Sequence, residues 1–270
     1  MNNKRLKINQ LVTMKQFEGG WIWLKNIKLF SQKAVNAIED KMNSYEIKKI
    51  SDIIKGVIIN DWKIYDDTKW VISIETFPDS YILIIYNKNE EFGSEIRLFF
   101  NKHFLETVPT EDAYCFIELY LKTIVSVIEH PEITTTKISG DILSIDELLE
   151  IVDKKNKEKL KNEILEIRKK VINKIPDELM IGIAEKLNAK YVEQSWSGQE
   201  IHWGLIFEPL SGVKINYTYD QDGFQIYYTM MALKFEARDV LFFTWLYCNA
   251  IIREARKIMG ENLPKLSKYL

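Results

Sequence analysis

The residues best suited to chemistry surround His202. Glu200 lies two positions away, on the same side of a predicted strand, and Ser195 and Ser197 are close in sequence. A hydroxyl nucleophile, an imidazole base and an orienting carboxylate need contacts of roughly 2.6–3.2 Å. Neither serine stands in a G-x-S-x-G turn, and proximity in sequence does not supply such geometry. We therefore interpret His202 as a polar residue near a sheet edge that could contact a partner.

A second pattern concerns two acidic residues. Pro78-Asp79, followed by Glu95-Ile96-Arg97, superficially resembles the PD-(D/E)xK nuclease pattern, in which two acids hold a divalent cation and a lysine serves the attacking water. Arginine replaces that lysine here, and its high pKa makes it a poor proton carrier. Asp79 also falls within a predicted tight turn. A divergent metal-dependent nuclease or hydrolase that uses Asp79 and Glu95 is therefore the alternative function and not the first one.

The possible metal ligands have no paired spacing. The three histidines and two cysteines form neither H-x-x-x-H nor C-x-x-C, and Gly19-Gly20 lacks the ending of a phosphate-binding loop. We therefore expect no metal and no cofactor. Cys115 and Cys248 lie in apolar segments that predict helices, which is typical of a reduced cytoplasmic protein.

Composition limits the class of partner. The 270 residues are 46% hydrophobic and carry a net charge of -2, so the chain has enough apolar material for a core and no overall basic excess. The tract 153–170 holds eight basic and four acidic residues. Nucleic-acid binding through that tract is a second alternative. The longest apolar run, 240–252, is far shorter than the roughly 20 residues that span a bilayer, so no membrane partner is expected.

The spacing of matching residues predicts that the chain contains the same module twice. An offset of 133 carries Trp70 to Trp203, Glu75 to Glu208, Tyr86 to Tyr219 and Asn89 to Asp222, and an offset of 127 carries Phe116 to Phe243. Alternate residues of a strand share a face, so equal spacing gives the two sheets matching faces. We interpret the echo as a structural duplication, with repeats at about 47–130 and 180–259.

The elements between these repeats complete the predicted organisation. Residues 141–176 show apolar side chains at intervals of three and four, which predicts one long charged amphipathic helix that joins the modules. The predicted fold is α+β, with two tandem repeats of antiparallel β-sheet and flanking helices. The predicted domains are 1–140, a connecting helix at 141–176, and 177–270. The connecting helix and the sheet edges could also support a homo-oligomer.

Aromatic residues are the main compositional pointer to function. They are abundant in both repeats, where most should fill cores while some could anchor a protein interface. Tyr227 and Tyr228 are adjacent, so one of the two must face away from the core. We name Tyr227, Tyr228, Trp203 and His202 as candidate binding residues. The leading hypothesis is a non-enzymatic cytoplasmic protein that binds another protein, such as an inhibitor or immunity-type factor of a phage or low-GC bacterium.

Overall fold

The computed structural model describes residues 10–41, 44–60, 65–134, 142–194, 196 and 200–269. The chain divides into two compact units, residues 1–136 and 137–270. Each unit contains one five-stranded antiparallel sheet together with several helices. The predicted α+β class with two sheet repeats is therefore confirmed.

The first unit has the strand order β1-β5-β4-β3-β2. Its elements in chain order are β1 (Leu11–Val12), α1 (Leu24–Lys41), α2 (Ser44–Ile53), β2 (Val57–Ile58), β3 (Thr68–Phe77), β4 (Ser80–Asn89), β5 (Gly93–Asn101), α3 (Lys102–Thr107) and α4 (Thr110–Glu129). β3 and β4 are rich in isoleucine, whose branched side chain packs well on a pleated surface. α4 begins directly after Pro109 and ends before His130, as the sequence predicts.

The second unit has the strand order β6-β10-β9-β8-β7, which is the same order counted from its own first strand. Its elements are β6 (Ile142–Ser144), α5 (Ile145–Ile151), α6 (Lys154–Lys161), α7 (Lys169–Ile172), α8 (Met180–Leu187), β7 (Lys190–Gln194), β8 (Glu200–Leu210), β9 (Val213–Asp220), β10 (Gly223–Thr229) and α9 (Ala237–Met259). A π-helical segment, Asn162–Arg168, joins α6 to α7. α9 ends at Gly260, which has a positive φ of 56°.

The two sheets share one pairing register. Trp70 lies opposite Tyr86 in the first sheet, and Trp203 lies opposite Tyr219 in the second, each pair at the predicted offset of 133. In both pairs the rings are stacked, with centroids 5.3 Å and 5.8 Å apart. Because a one-residue slip would move every side chain to the other face, this agreement fixes the equivalence of the two hairpins.

The β3–β4 turn and the β8–β9 turn, called here the first turns, are each held by a hydrogen bond from a backbone N–H to a glutamate side chain. The N–H of Asp79 donates to Glu75 Oε1 (3.0 Å), and the N–H of Gly212 donates to Glu208 Oε1 (2.8 Å). Asp79 and Gly212 both have positive φ, at 59° and 79°. The duplication therefore includes a side-chain bond that specifies the turn, and this bond accounts for the glutamate found at both positions.

A second side chain clamps that turn from the neighbouring strand. Asn101 accepts from the N–H of Tyr81 (3.0 Å) and donates to the carbonyl of Asp79 (2.6 Å). Thr229 takes the same place in the second sheet, accepting from the N–H of Lys214 (2.9 Å) and donating to the carbonyl of Gly212 (2.6 Å). Two different side chains thus make the same pair of contacts.

The sequence-based limits of the repeats are too narrow. β1 and β6 occupy the same place in their sheets, and each is followed by a cap in which the N–H of Thr13 or Ser144 donates to Gln16 or Glu147 at 2.7 Å. The predicted equivalence of Asn89 and Asp222 is also wrong. Asn89 is still paired within β4, whereas β9 ends at Asp220, before Asp222. The β9–β10 hairpin is five residues shorter than the β4–β5 hairpin, so the offset between equivalent residues falls from 133 to 128.

The predicted connecting helix at 141–176 is not a separate element between two modules. Residues from 137 onward belong to the second unit. The segment is divided because Val152 is extended and ends α5, and the side chain of Asp153 then accepts from the N–H of Asn156 to begin α6. The helical run from α6 to α7 follows the first strand of its unit, as α1 does in the first unit.

One face of each sheet packs on helices. Phe77 meets Phe116 of α4 edge to face, and Phe207 stacks on Tyr247 of α9 with centroids 4.2 Å apart. We call the opposite side the outer face. In the first sheet, Val71, Leu83 and Ile85 form a buried apolar cluster on that face.

Candidate functional site

His202 lies on β8 and has a different carboxylate partner from the one that sequence proximity indicated. Its Nδ1 is 3.1 Å from Asp177 Oδ2, and its ring meets Tyr219 at 5.5 Å between centroids. The histidine side chain is 53% exposed, so the pair is a solvent-screened surface contact. Ser195 and Ser197 lie outside the described residues. Asp177 was not predicted because a turn some distance away in sequence brings it to β8.

Two of the proposed binding residues are buried, which corrects their assignment. Trp203 is 1% exposed and Tyr228 is 0% exposed. The Tyr228 hydroxyl lies 2.8 Å from Thr244 Oγ1, and burial raises the pKa of this phenol well above its usual value. Neither side chain can contact a partner in this structure, because both point into the helix-covered core.

Tyr227 behaves as the alternation predicts. It points to the opposite side from Tyr228 and is partly exposed on the outer face of the second sheet. Burial, followed by the charges of Asp220 and Asp222, raises the pKa of its phenol. Tyr227 therefore remains neutral at physiological pH and available as a hydrogen-bonding aromatic group.

The acids of the nuclease alternative are not brought together. Asp79 lies in the turn before β4, whereas Glu95 pairs with Asn87, near the far end of that strand. A strand rises about 3.3 Å per residue, so the two carboxylates are separated by roughly 20 Å or more along the sheet. One metal cannot bridge that gap. Within the described ranges, no group of three or more potential ligands is arranged to hold a metal ion.

The two cysteines are poor nucleophiles. Burial raises the pKa of both the Cys115 and the Cys248 thiol to about 12. For Cys115 the neighbouring carboxylates, chiefly Asp112, contribute to this rise in pKa after burial. A thiol with such a pKa stays protonated at physiological pH, so neither residue is activated for covalent chemistry.

Three exposed large apolar residues of the first unit lie on and before α1, while Phe92, between β4 and β5, is 83% exposed. Trp21, Ile22 and Leu29 are 72%, 57% and 53% exposed. Lys25 and Lys33 are exposed on the same helix, and no acidic residue occurs between positions 19 and 38. Ile22 lies in the 3-10 segment Gly20–Trp23 directly before α1, and Leu29 lies on α1 itself. We call Trp21, Ile22, Lys25, Leu29 and Lys33 the α1 surface.

A cleft of about 630 Å³ lies between α1 and β5. At one end, Arg97 Nε is 2.5 Å from Glu95 Oε1, and its guanidinium lies 4.2 Å from the centroid of the Tyr65 ring. Lys15 and Lys28 line the cleft and are exposed. Its apolar wall is formed by Met14, Leu24, Ile27, Val35, Ile96, Leu98, Phe99 and Ile117.

A second depression, of about 760 Å³, lies at the β7–β8 hairpin beside His202. None of the described helices is both long and apolar enough to cross a bilayer.

Comparisons with known protein families, with curated proteins and with solved structures found no match. We therefore infer the function of the chain from its own surfaces and contacts.

Proposed function

We propose that the protein is a non-enzymatic binding protein that docks to another protein through the α1 surface. The observation that carries this proposal is the exposure of Trp21, Ile22 and Leu29 on one stretch of the first unit. Contiguous exposed apolar side chains are a marker of interaction sites, and tryptophan is enriched among the residues that dominate binding energy. An inhibitor or immunity-type role is the biological form of this proposal that the composition favours.

The positive charge of the α1 surface indicates the chemistry of the partner surface. Its apolar residues are accompanied by Lys25 and Lys33, with no carboxylate on that stretch of the helix. Complementary charge speeds encounter and disfavours wrong partners. The partner is therefore expected to present a hydrophobic pocket with an acidic rim.

The arrangement of the possible catalytic groups favours binding over turnover. Asp79 and Glu95 lie at opposite ends of the first sheet, and the pair of His202 and Asp177 is open to solvent. The unactivated thiols of Cys115 and Cys248 suit a reducing compartment. A cytoplasmic location is part of this proposal, and the reduced state of the two thiols supports it.

Affinity capture from host cells tests the proposal. The tagged chain is compared with a variant that carries Trp21→Ser and Leu29→Ser, and captured proteins are quantified by mass spectrometry. Loss of a tryptophan anchor costs roughly 2 kcal/mol or more at an interface, so the captured partner should fall by about thirtyfold.

A matched control is available in the second unit. Ile151 and Ile258 are 60% and 59% exposed, so Ile151→Ser with Ile258→Ser removes similar apolar area elsewhere. This control should retain the partner. Equal retention by both variants would contradict the α1 assignment, and so would capture of nucleic acid that is lost steeply with salt. Recovery of only a second copy of the chain would replace the proposal with self-association.

A further inference from the structure

β5 has an open edge over most of its length. Its outer neighbour β1 pairs only with Phe100 and Asn101, because the Thr13 cap turns the chain away after Val12. At the other end, the Ser94 hydroxyl donates to Glu39 Oε1 of α1 at 2.6 Å. Within the described part of the chain, residues 95–99 therefore have a strand neighbour on the β4 side alone.

The register identifies the backbone groups on that edge. The N–H of Tyr81 is directed from β4 towards β5, where it donates to Asn101 Oδ1. Successive residues of an antiparallel strand direct their backbone groups to alternate sides. Ile96 and Leu98 of β5 therefore direct their N–H and carbonyl groups away from β4, towards the cleft that both residues line. Exposed groups of this kind are a template for pairing with another strand.

The cleft provides both side-chain recognition and charge. Glu95 is already neutralised, since it is bonded to Arg97 and accepts from the Asn87 amide (3.3 Å). Lys15 and Lys28 make no ion pair with the described residues. The cleft therefore combines an apolar wall with two uncompensated ammonium groups, and it favours a segment that alternates apolar and acidic residues.

We propose that residues 95–99 of β5 accept an extended acidic segment of the partner protein as an added strand. This inference rests on the proposed binding function and assigns a second contact beside the α1 surface. Main-chain hydrogen bonds to Ile96 and Leu98 supply affinity, and alternate side chains of the segment meet the apolar wall and the two lysines. The bound stretch spans about five residues, or roughly 17 Å.

The test uses the intact protein and a short capped peptide of alternating valine and glutamate. Amide hydrogen exchange and chemical shifts are measured with increasing peptide. The exchange of the Ile96 and Leu98 amides should slow by at least about tenfold at saturation, while amides on the β2 edge keep their rates.

Two control peptides separate strand addition from other binding. One replaces glutamate with lysine, and the other keeps every side chain of the acidic peptide but is N-methylated at alternate residues, so that it cannot donate to the Leu98 and Ile96 carbonyls. Both should bind at least about tenfold more weakly. Equal binding of the N-methylated peptide, or of the basic one, overturns the proposal.

A charge-exchange variant gives the sharpest check. Lys15→Glu with Lys28→Glu should reverse the preference, so that the lysine peptide binds more tightly than the glutamate peptide. Both residues are exposed, and unchanged amide signals of β2, β3 and α4 in the same unit would show that the variant is folded. If no peptide protects β5, the strand-addition proposal fails. The capture experiment with the Trp21 and Leu29 variant still decides the broader binding function independently.

Discussion

Position for position, the first sheet carries Leu83 and Ile85 where the second carries Asn216 and Thr218. The offset of 133 also places Gly204 where the first sheet has Val71. In the first unit these residues form the apolar cluster of the outer face. In the second unit Asn216 and Thr218 are equally buried, yet their polar side-chain atoms have no hydrogen-bond partner among the described residues.

The difference separates what the fold requires from what it allows. The helix-facing sides of both sheets keep large apolar residues, and the turn bonds of Glu75 and Glu208 are the same. The outer faces and the surfaces around the helices have diverged. Function should therefore be sought where the two units differ, as at the α1 surface and the β5 edge.

The equivalent tryptophans give the largest expected effect. Trp203→Ala should lower the free energy of unfolding by about 4 kcal/mol, because a fully buried ring is lost and a cavity remains. Trp70→Ala should cost about half as much, since Trp70 is only partly buried. Urea denaturation of the two variants measures both values. Equal costs would show that the two positions have the same environment.

An exchange between the outer faces should be asymmetric. Leu83→Asn places an amide in an apolar cluster and should lower the free energy of unfolding by about 3 kcal/mol. Asn216→Leu removes an unpartnered buried amide but adds volume, so its effect should lie within about 1 kcal/mol of zero. Thermal or urea unfolding distinguishes these outcomes. A loss of several kcal/mol in Asn216→Leu would reveal a polar partner for Asn216.

Exchanging Asp79 and Gly212 between the β3–β4 and β8–β9 turns should change the free energy of unfolding by smaller amounts and in opposite directions. Asp79 has a positive φ that glycine adopts more easily, so Asp79→Gly should raise the free energy of unfolding by about 0.5 kcal/mol. Gly212→Asp should lower it by about 1 kcal/mol, since a Cβ there would lie 3.2 Å from Met231 Cγ. The midpoints of urea denaturation provide the test. A destabilising Asp79→Gly would mean that the aspartate side chain makes a contact that glycine loses.

The helix caps after β1 and β6 should differ only in their response to pH. Hydrogen bonds from Ser144, first from its backbone N–H, hold the pKa of Glu147 below its usual range. The stability that this cap adds is therefore present above the ordinary glutamate pKa and is lost as pH falls through the lowered folded-state value. Gln16, at the equivalent position, does not titrate. Glu147→Gln should remove this component from the pH profile of unfolding, and an identical acid limb in both proteins would contradict the assignment.

Much of the fold follows from the sequence. The long strands and helices carry strong periodicity, so the offsets at Trp70, Trp203, Phe116 and Phe243 identify equivalent positions. β1 and β6 have only two and three residues, which is too short for a period to be visible, so the sequence pattern predicts repeats that are too narrow.

The candidate site was less predictable. Residue type favours Tyr228 and Trp203 as binding residues, but burial depends on tertiary packing that adjacent residues do not reveal. The partner of His202 is Asp177, which only the folded chain brings near. The sequence shows that Trp21 and Leu29 are apolar, but it does not show that they are exposed, because α1 carries apolar residues on more than one side.

An experimentally determined structure of the full chain would test the duplication most directly, by superposing residues 11–129 on 142–259. We predict that Trp70 falls on Trp203 and that Asp79 and Gly212 share a left-handed backbone, with Asn101 and Thr229 bonding the same turn atoms. A one-residue difference in register between the β4–β5 and β9–β10 pairs, or unrelated positions for the two tryptophans, would contradict the account.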